Sequence, residues 1–426
     1  MFPTTRLTAF LSLALIAAAS PISTSTELRA RLHLTKHING QNLVASDRAR
    51  IQSLVSRGRS TKGVTSAAAA TNGSAGSAPI TSQTVLYTAS IGVGSQTFDV
   101  IVDTGSSNTW VGASTPYTPG DTSTNTGNAV VSTCRCRRGS SETDAGFQSV
   151  SYGSGSFSGT EYTDTVTLGS LTVTNQSIGV ATQADFPQFD GILGIGPTDL
   201  TEGTVDGVDE VPTFTDNLFQ EGTIPMNSVA VSFVPATSDS ASANGELTFG
   251  GTDSTKFTGD ITYTPITSTS PANQFWGIDQ SIAYGNSSIL SQNAGIVDTG
   301  TTLIYIATDA YTQYMSDTGA TVDENTGLLT VTADQFKAMK SLFFTIGGGS
   351  FELTPNAQLW PRSLNSDIGG TEDGLYLIVN DIGTNSGEGL DFINGYAFLE
   401  RFYSVFDTTN NQFGLATTQF TNATTN

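Results

Sequence analysis

Two aspartates, each followed by threonine and glycine, are the residues of this sequence best suited to chemistry. The stretch FDVIVDTGSSNTWVG, residues 98–112, carries Asp103 directly after an aliphatic run, and NAGIVDTGTTLIYI, residues 293–306, repeats the pattern around Asp298. A carboxylate among apolar neighbours is costly unless hydrogen bonds or a shared proton compensate for its burial. Two such carboxylates can serve as general acid and general base. One Asp-Thr-Gly alone is also an ordinary strand-ending turn, so the repetition carries the argument.

The segments that flank the two aspartates are repeated as well. YTASIGVGSQTFDVIV and SIAYGNSSILSQNAGIV each predict a hairpin with a glycine-containing turn that leads into the aspartate. Downstream, Gly194 of DGILGIG follows Asp103 by 91 residues, and Gly395 of DFINGYAF follows Asp298 by 97 residues. The chain therefore contains two related β units. Facing each other across a pseudo-twofold axis, they would bring the two aspartates together in a cleft.

Histidine and cysteine offer little alternative chemistry. The two histidines, His33 and His37, lie in the N-terminal leader, and Cys134 and Cys136 are separated by one residue. Once the leader is removed, a Ser-His-Asp triad, a Cys-His dyad and a histidine-ligated metal site are excluded. The cysteine spacing provides neither a zinc ribbon nor a disulfide framework. We therefore expect carboxylate chemistry without a metal or another cofactor.

The N-terminus has the layout of a secretory signal. Arg6 precedes an apolar stretch over residues 7–19 that is too short to span a bilayer. We expect residues 1–20 to be a signal peptide and the protein to be secreted to the extracellular medium, without a membrane partner. Sequons that suit a secreted glycoprotein occur at Asn72, Asn175, Asn286 and Asn422.

Charge divides the chain into a basic leader and an acidic body. Residues 27–62 contain eight basic and two acidic residues, whereas from residue 63 onward eight basic residues stand against thirty-six acidic ones. This split predicts that residues 21–75 are a propeptide and linker, in which the propeptide is an intramolecular inhibitor held by electrostatic complementarity. The segment SDRARIQSLVSRGRS has helix-compatible apolar spacing, and Lys36 or one of the leader arginines is expected to pair with the aspartates. A disordered basic tail is the alternative, and the acidic body excludes nucleic acid as a partner.

The composition of the body indicates a mainly all-β protein. Charged residues make up only 13% of the sequence, and the apolar stretches are short and rich in valine, isoleucine, phenylalanine and tyrosine. At 426 residues the chain is long enough for two lobes, which we place at residues 76–252 and 253–426.

The motifs resemble those of the pepsin-like aspartic proteases, peptidase family A1, and in particular its secreted basidiomycete members. The resemblance rests on DTGSS with Trp110, SYGSGSFSGT, FDGILGIG, IVDTGTT and FLERFYSVFD, and it covers about residues 81–420. It implies a bilobal fold of two related β-barrel-like lobes with the active-site cleft between them. It also implies a monomeric endopeptidase that cleaves polypeptide substrates at acidic pH through a water activated by Asp103 and Asp298.

The residues that would support the aspartates are, by this resemblance, Thr104, Gly105, Ser106, Thr299, Gly300 and Thr301. The hydroxyls of Ser106 and Thr301 would hydrogen-bond the outer carboxylate oxygens, and the two threonines of the Asp-Thr-Gly motifs would interlock the loops behind the aspartates. The two glycines would permit a tight turn and a close backbone approach. Local turn capping by the hydroxyls is the alternative, and both roles can hold at once.

Substrate contacts would come, by the same resemblance, from a flap hairpin and nearby apolar residues: Ile101, Trp110, Tyr152, Gly153, Ser154 and Ile192. Tyr152 would close over the substrate and hydrogen-bond toward Trp110, while the next two residues would contact the peptide through their backbone. The two isoleucines are candidates for an apolar primary subsite, although aliphatic strand residues are more often simply core. An exposed strand position is the alternative for Tyr152.

Residues 113–149 depart from the family pattern. A polar run there ends in a stretch that holds both cysteines, which predicts an exposed insertion beside the active-site entrance or an error in the gene model. A catalytically inactive binding protein of this fold, a β-rich carbohydrate-active protein and a two-carboxylate glycosidase are the competing functions. The two Asp-Thr-Gly turns together with the flap tyrosine favour the protease.

Overall fold

The computed structural model describes residues 40–58, 73–83, 85–130, 150–152, 155–184, 189–236 and 242–426. The strands of its first half are β1 (Gly76–Ser82), β2 (Tyr87–Val93), β3 (Gln96–Asp103), β4 (Thr109–Val111), β5 (Thr124–Val130), β6 (Val150–Tyr152), β7 (Gly155–Leu168), β8 (Leu171–Ala184), β9 (Gly191–Gly194), β10 (Ser228–Ser232) and β11 (Ser242–Phe249).

The second half continues the β architecture. Its strands are β12 (Thr258–Pro265), β13 (Gly277–Tyr284), β14 (Ser287–Val297), β15 (Ile304–Ile306), β16 (Thr321–Val322), β17 (Leu329–Thr330), β18 (Leu342–Ile346), β19 (Gly349–Leu353), β20 (Tyr376–Leu377), β21 (Val379–Asp381), β22 (Phe392–Asn394), β23 (Phe402–Asp407) and β24 (Gln412–Thr417). The helices are α1 (Gly40–Gly58), α2 (Phe214–Gln220), α3 (Thr308–Thr318), α4 (Ala333–Ala338) and α5 (Tyr396–Leu399), with 3-10 turns at Thr198–Thr201, Ala272–Gln274 and Arg362–Leu364.

The two halves share one sheet. A 14-stranded sheet runs in the order β12-β24-β23-β10-β11-β1-β2-β3-β9-β4-β8-β7-β5, with β6 on β7 and a further β2 to β7 pairing that curls it back on itself. The other sheets are seven-stranded, β19-β18-β13-β14-β22-β15-β21, and three-stranded, β16-β17-β20. Strands from the C-terminal half, β12, β23 and β24, thus extend the sheet of the N-terminal half, which joins the two halves by backbone hydrogen bonds.

The duplication predicted from the motifs is visible in the strand pairing. The hairpin β2–β3 turns at Gly94 and the hairpin β13–β14 at Gly285, and both glycines have a φ of 56°. Each hairpin's second strand then pairs in parallel with a short strand, β3 with β9 and β14 with β22. Each short strand also pairs antiparallel with the strand that follows the Asp-Thr-Gly loop, β4 in the first half and β15 in the second. The two loops therefore leave equivalent points of equivalent sheets.

Burial along these strands explains the aliphatic runs before the aspartates. Strand β3 alternates between exposed and buried residues near its turn and is continuously buried from Val100 to Asp103. Strand β14 behaves in the same way, with burial from Ala294 to Val297. A strand that is covered on both faces needs apolar residues at consecutive positions, so the aspartates end up in the interior.

Helix α1 covers the segment for which helix-compatible spacing was predicted. Its buried apolar residues, Leu43, Val44, Ile51 and Leu54, recur at helical spacing and belong to the same hydrophobic cluster as the body of the protein. No helix in the described ranges is both long and apolar enough to cross a membrane.

The segment expected as an exposed insertion is partly strand. Residues 124–130 form β5, which pairs with β7, and Val130 is buried. Cys134 and Cys136 lie outside the described residues, as does the rest of the predicted insertion from 131 to 149.

Candidate active site

The two aspartates sit at the ends of β3 and β14, where the short parallel strands hold them in place. Asp103 lies opposite Gly194 in the β3–β9 pairing, and its carbonyl accepts a hydrogen bond from the Ile195 N–H at 2.9 Å. The N–H of Asp298 donates to the carbonyl of Asn394 at the end of β22, at 3.1 Å. Both aspartates are completely buried. Backbone hydrogen bonds alone therefore fix the position of both aspartates.

Each carboxylate accepts the same pair of local hydrogen bonds. Oδ1 of Asp103 accepts from the Gly105 N–H at 2.9 Å, and its Oδ2 accepts from the Ser106 hydroxyl at 2.5 Å. Oδ1 of Asp298 accepts from the Gly300 N–H at 3.1 Å, and its Oδ2 from the Thr301 hydroxyl at 2.5 Å. Such donors favour the ionised form of a carboxyl group.

The two loops approach each other so closely that only glycine fits. A Cβ added to Gly105 would lie 2.6 Å from Asp298 Oδ1, and one added to Gly300 would lie 2.6 Å from Asp103 Oδ1. Each Oδ1 therefore faces the opposite loop, and each Oδ2 is the oxygen held by its own loop's hydroxyl.

Behind the aspartates, Thr104 and Thr299 hydrogen-bond reciprocally. The Thr104 N–H donates to Thr299 Oγ1 at 3.0 Å, and the Thr299 N–H donates to Thr104 Oγ1 at 2.9 Å. Each hydroxyl in turn donates to the opposite strand, that of Thr299 to the Val102 carbonyl at 2.8 Å and that of Thr104 to the Val297 carbonyl at 3.4 Å. The four bonds tie the end of β3 to the end of β14.

Arg50 of α1 bridges the two carboxylates. Its Nη2 lies 2.5 Å from Asp103 Oδ1 and 2.8 Å from Asp298 Oδ1, while its Nε donates to Asp298 Oδ2 at 2.7 Å. Its Nη1 donates to Asp103 Oδ2 at the longer distance of 3.3 Å. The planar guanidinium, with several donors in fixed directions, suits this pair of carboxylates.

The contact with Arg50 is accompanied by shifted pKa values of Asp103 and of Arg50 itself. Burial would raise the pKa of Asp103, but the charge and hydrogen bonds of Arg50, helped by Ser106 and Gly105, hold that pKa below its ordinary value. Burial would lower the pKa of Arg50, yet the charges of both aspartates raise it above its ordinary value. With the helix in place, the guanidinium therefore stabilises ionised carboxylate.

Three of the residues predicted to contact substrate have described side chains, and these three form one apolar group. Ile101, Trp110 and Ile192 are buried together in a cluster that also contains Phe157. The rings of Trp110 and Phe157 stack with centroids 4.2 Å apart. Tyr152 ends β6, where its backbone pairs with Gly155, and its side chain lies outside the description. Gly153 and Ser154 also lie outside the described residues.

Arg50 is not singled out among the basic residues of the leader in the sequence analysis. A usable signal exists, because positions 43, 47, 50, 51 and 54 share one face of a helix. Asp47 and Arg50 are thus charged residues on an otherwise apolar stripe, which is unusual for a helix face that packs on a protein. Among the described residues, no group of three or more histidine, cysteine, aspartate or glutamate side chains is arranged to hold a metal ion.

Comparison with known proteins identifies the family. The family model for eukaryotic aspartyl proteases matches residues 86–418. The chain belongs to the pepsin-like aspartic proteases. It is an aspartic endopeptidase with a mainly β fold, and the family and fold predicted from its motifs are confirmed.

Individual relatives agree with this family. Polyporopepsin of Irpex lacteus is 60% identical over 358 residues, which cover 83% of this chain and 100% of the relative. Gastricsin of Homo sapiens is 33% identical over 339 residues, covering 77% of this chain and 80% of the relative. The crystal structure of the aspartic proteinase from Irpex lacteus matches with a TM-score of 0.77 at 60% identity and covers 83% of this chain and 100% of that chain.

Proposed function

We propose that Asp103 and Asp298 are the catalytic pair of this endopeptidase and that they hydrolyse peptide bonds at acidic pH. The observation that carries the proposal is the symmetry of their surroundings. Two buried carboxylates accept matching bonds from their own loops and turn one oxygen each toward the opposite loop. With Arg50 withdrawn, two such carboxylates cannot both ionise cheaply, so they share one proton.

The shared proton gives the two carboxyl groups different tasks. The ionised one accepts a proton from a water molecule, whose oxygen then bonds to the carbonyl carbon of the peptide. The protonated one donates a hydrogen bond to the carbonyl oxygen and stabilises the charge that develops on it. When the tetrahedral intermediate collapses, the C–N bond breaks and the leaving nitrogen takes up the proton abstracted from water. Ser106 and Thr301 hold the outer oxygens, so the inner oxygens stay directed toward the water.

The substrate is proposed to lie between the flap and the buried apolar group. Tyr152, Gly153 and Ser154 would cover the peptide, with Ile101 and Ile192 forming the floor of an apolar subsite beside Trp110. The supporting observation is that Ile101, Ile192 and Trp110 share one buried cluster. The two isoleucines lie on β3 and β9, the strands that also carry Asp103 and Gly194.

Helix α1 is proposed to keep the enzyme latent as part of a zymogen. Arg50 occupies both carboxylates, which leaves them unable to activate water. Because docking lowers the pKa of Asp103, the ion pair contributes at pH values above the ordinary aspartate pKa of 3.8 and is lost as the pH falls through the lower value of the docked state. Acid therefore releases the leader. Following the mass of purified full-length protein at pH 3 and pH 7 tests this, and equal processing at both would contradict it.

We also infer that the protein is exported and acts as a monomer in the extracellular medium. The support for export is the signal-like N-terminus and the four sequons, whereas the monomeric state rests on the resemblance to the family. Residues 175, 286 and 422, the described asparagines of those sequons, are all exposed.

Cleavage of a denatured protein at acidic pH tests the catalytic proposal. The wild type is expected to digest it, and Asp103→Asn is expected to lose at least about a thousandfold in kcat/KM because an amide cannot share the proton. A polysaccharide offered under the same conditions serves as the control for the glycosidase alternative. Strong residual proteolysis in the variant would remove Asp103 from the catalytic role.

A further inference from the structure

The leader helix makes a second polar contact with the body, one turn before Arg50. Asp47 is buried, and its two oxygens accept hydrogen bonds from successive backbone N–H groups, Oδ1 from Thr302 at 3.2 Å and Oδ2 from Leu303 at 3.1 Å. Thr302 and Leu303 directly follow Thr301, whose hydroxyl holds Asp298. Asp47 therefore binds the same loop that positions the second aspartate.

We propose that Asp47 is a positioning residue of the leader, a second anchor that fixes the register of α1 on the cleft and so brings Arg50 onto both aspartates. This inference rests on the proposed inhibitory function of the leader. In this proposal, the Asp47 contact holds the inhibitory helix on the cleft in one defined orientation.

Apolar packing alone would not fix that register. The four apolar residues of α1 are buried, but apolar attraction has little directionality, and a helix can slide or rotate on such a surface at small cost. The contacts of Asp47 and Arg50 are directional, and they are separated by three residues, a rise of about 4.5 Å along the helix axis. Together they prevent both the sliding and the rotation of the helix. The carboxylate of Asp47 uses both of its oxygens, which constrains rotation as well as translation.

The partner loop is itself held in place. The Thr302 hydroxyl donates to the carbonyl of Val85, just before β2, at 3.0 Å. The N–H groups that donate to Asp47 thus belong to a segment that a further hydrogen bond holds in place. This segment links the second Asp-Thr-Gly loop to the first half of the chain. An anchor on this segment is therefore held in a fixed position relative to both halves of the chain.

Burial of Asp47 is costly, which argues for a specific role. Burial raises the pKa of Asp47 to about 7, against the opposing effects of the Thr302 and Leu303 N–H groups and the charge of Arg50. The other titratable group beside it is Tyr305 on β15, whose pKa is raised well above its ordinary value by burial and then by the charge of Asp47. Exposed Arg48 acts on Tyr305 in the opposite direction. An apolar residue at position 47 would avoid this cost, and a buried polar group with fixed hydrogen-bond partners can serve geometric specificity rather than stability.

The test compares activation of full-length zymogens that carry Asp47→Ala, Asp47→Asn or Gln52→Ala. Gln52 is exposed on the same helix and provides the matched control. Each protein is incubated across pH 3 to 7, while leader loss is followed by mass and activity by a quenched fluorogenic peptide. After complete activation, kcat/KM of the mature enzyme is measured, because the leader is then absent.

The Asp47→Ala zymogen is expected to activate about tenfold faster than wild type between pH 5 and 6. The pH midpoint of its leader release should rise by about one unit, because a more weakly bound leader dissociates when less of the Arg50 ion pair has been lost to protonation. Asp47→Asn keeps one acceptor oxygen, so its activation rate and release midpoint should lie between those of wild type and Asp47→Ala. Gln52→Ala should match wild type, and all mature enzymes should have equal kcat/KM.

An Asp47→Ala zymogen that behaves as Gln52→Ala would overturn the anchor, and so would faster activation accompanied by altered mature kinetics, which would indicate a damaged body. Arg50→Ala separates this inference from the proposed function. If Arg50→Ala stays as latent as wild type, inhibition through the leader is wrong. If it activates early while Asp47→Ala does not, only the anchor fails.

Discussion

The two Asp-Thr-Gly loops are alike where they face each other and differ where they continue. Within the motif, the bonds to each carboxylate correspond residue by residue. Beyond it, the first loop turns to its own lobe, since the Ser107 hydroxyl donates to the Pro197 carbonyl and the Asn108 amide to Thr204. The equivalent residues of the second loop, Thr302 and Leu303, offer their N–H groups to the leader. The proposed chemistry needs the symmetric part of the two loops, whereas the proposed anchoring of the leader by Asp47 uses the part where the symmetry is lost.

The largest effect in this comparison is expected from breaking the interlock. Thr104→Val and Thr299→Val each remove a hydroxyl that accepts an N–H and donates to a carbonyl, so each should lower the free energy of unfolding by about 2–4 kcal/mol. If the two halves are equivalent at this point, the two losses should agree closely. Because the residues share one network, the double variant should lose less than the sum. Urea unfolding measures this.

The control for the interlock is Thr174→Val, at an exposed position on β8. It is expected to change stability by less than about 0.5 kcal/mol. Additive losses in the double variant would contradict a reciprocal interlock.

A smaller effect is expected from the outer hydroxyls. Ser106→Ala and Thr301→Ala each remove a donor to one carboxylate, which makes the ionised form of that carboxyl group less favourable. The acid limb of kcat/KM should therefore move to higher pH, by about one unit in the half that holds the ionised aspartate and by less in the other. The pH profiles of the two mature variants measure the difference.

Thr301→Ser keeps the hydroxyl and is the conservative control. Its acid limb should coincide with that of the wild type. A shift to lower pH in either alanine variant would contradict the role given to these hydroxyls.

Much of the site followed from local sequence, because the chemistry is built from short motifs. The hairpins, the aspartates and the paired glycines are each encoded within a few residues, and duplication supplied the second copy. The sheet that the two halves share was not predicted, since the pairing of β10 with β23 connects residues far apart in sequence. Arg50 was not singled out either, because its place on the apolar stripe of α1 marks it as unusual but does not reveal its partner Asp103, which lies 53 residues further along the chain.

The central claim is that Asp103 and Asp298 act as one unit, and a double-mutant cycle on kcat/KM tests it most directly. Mature Asp103→Asn, Asp298→Asn and the double variant, freed of their leaders through a recognition site for an unrelated protease inserted between residues 63 and 72, are compared with wild type at acidic pH. If the two aspartates act as one unit, each single change lowers kcat/KM by at least about a thousandfold and the double change lowers it no further. Substantial activity in either single variant, or a double loss equal to the product of the single losses, would contradict it.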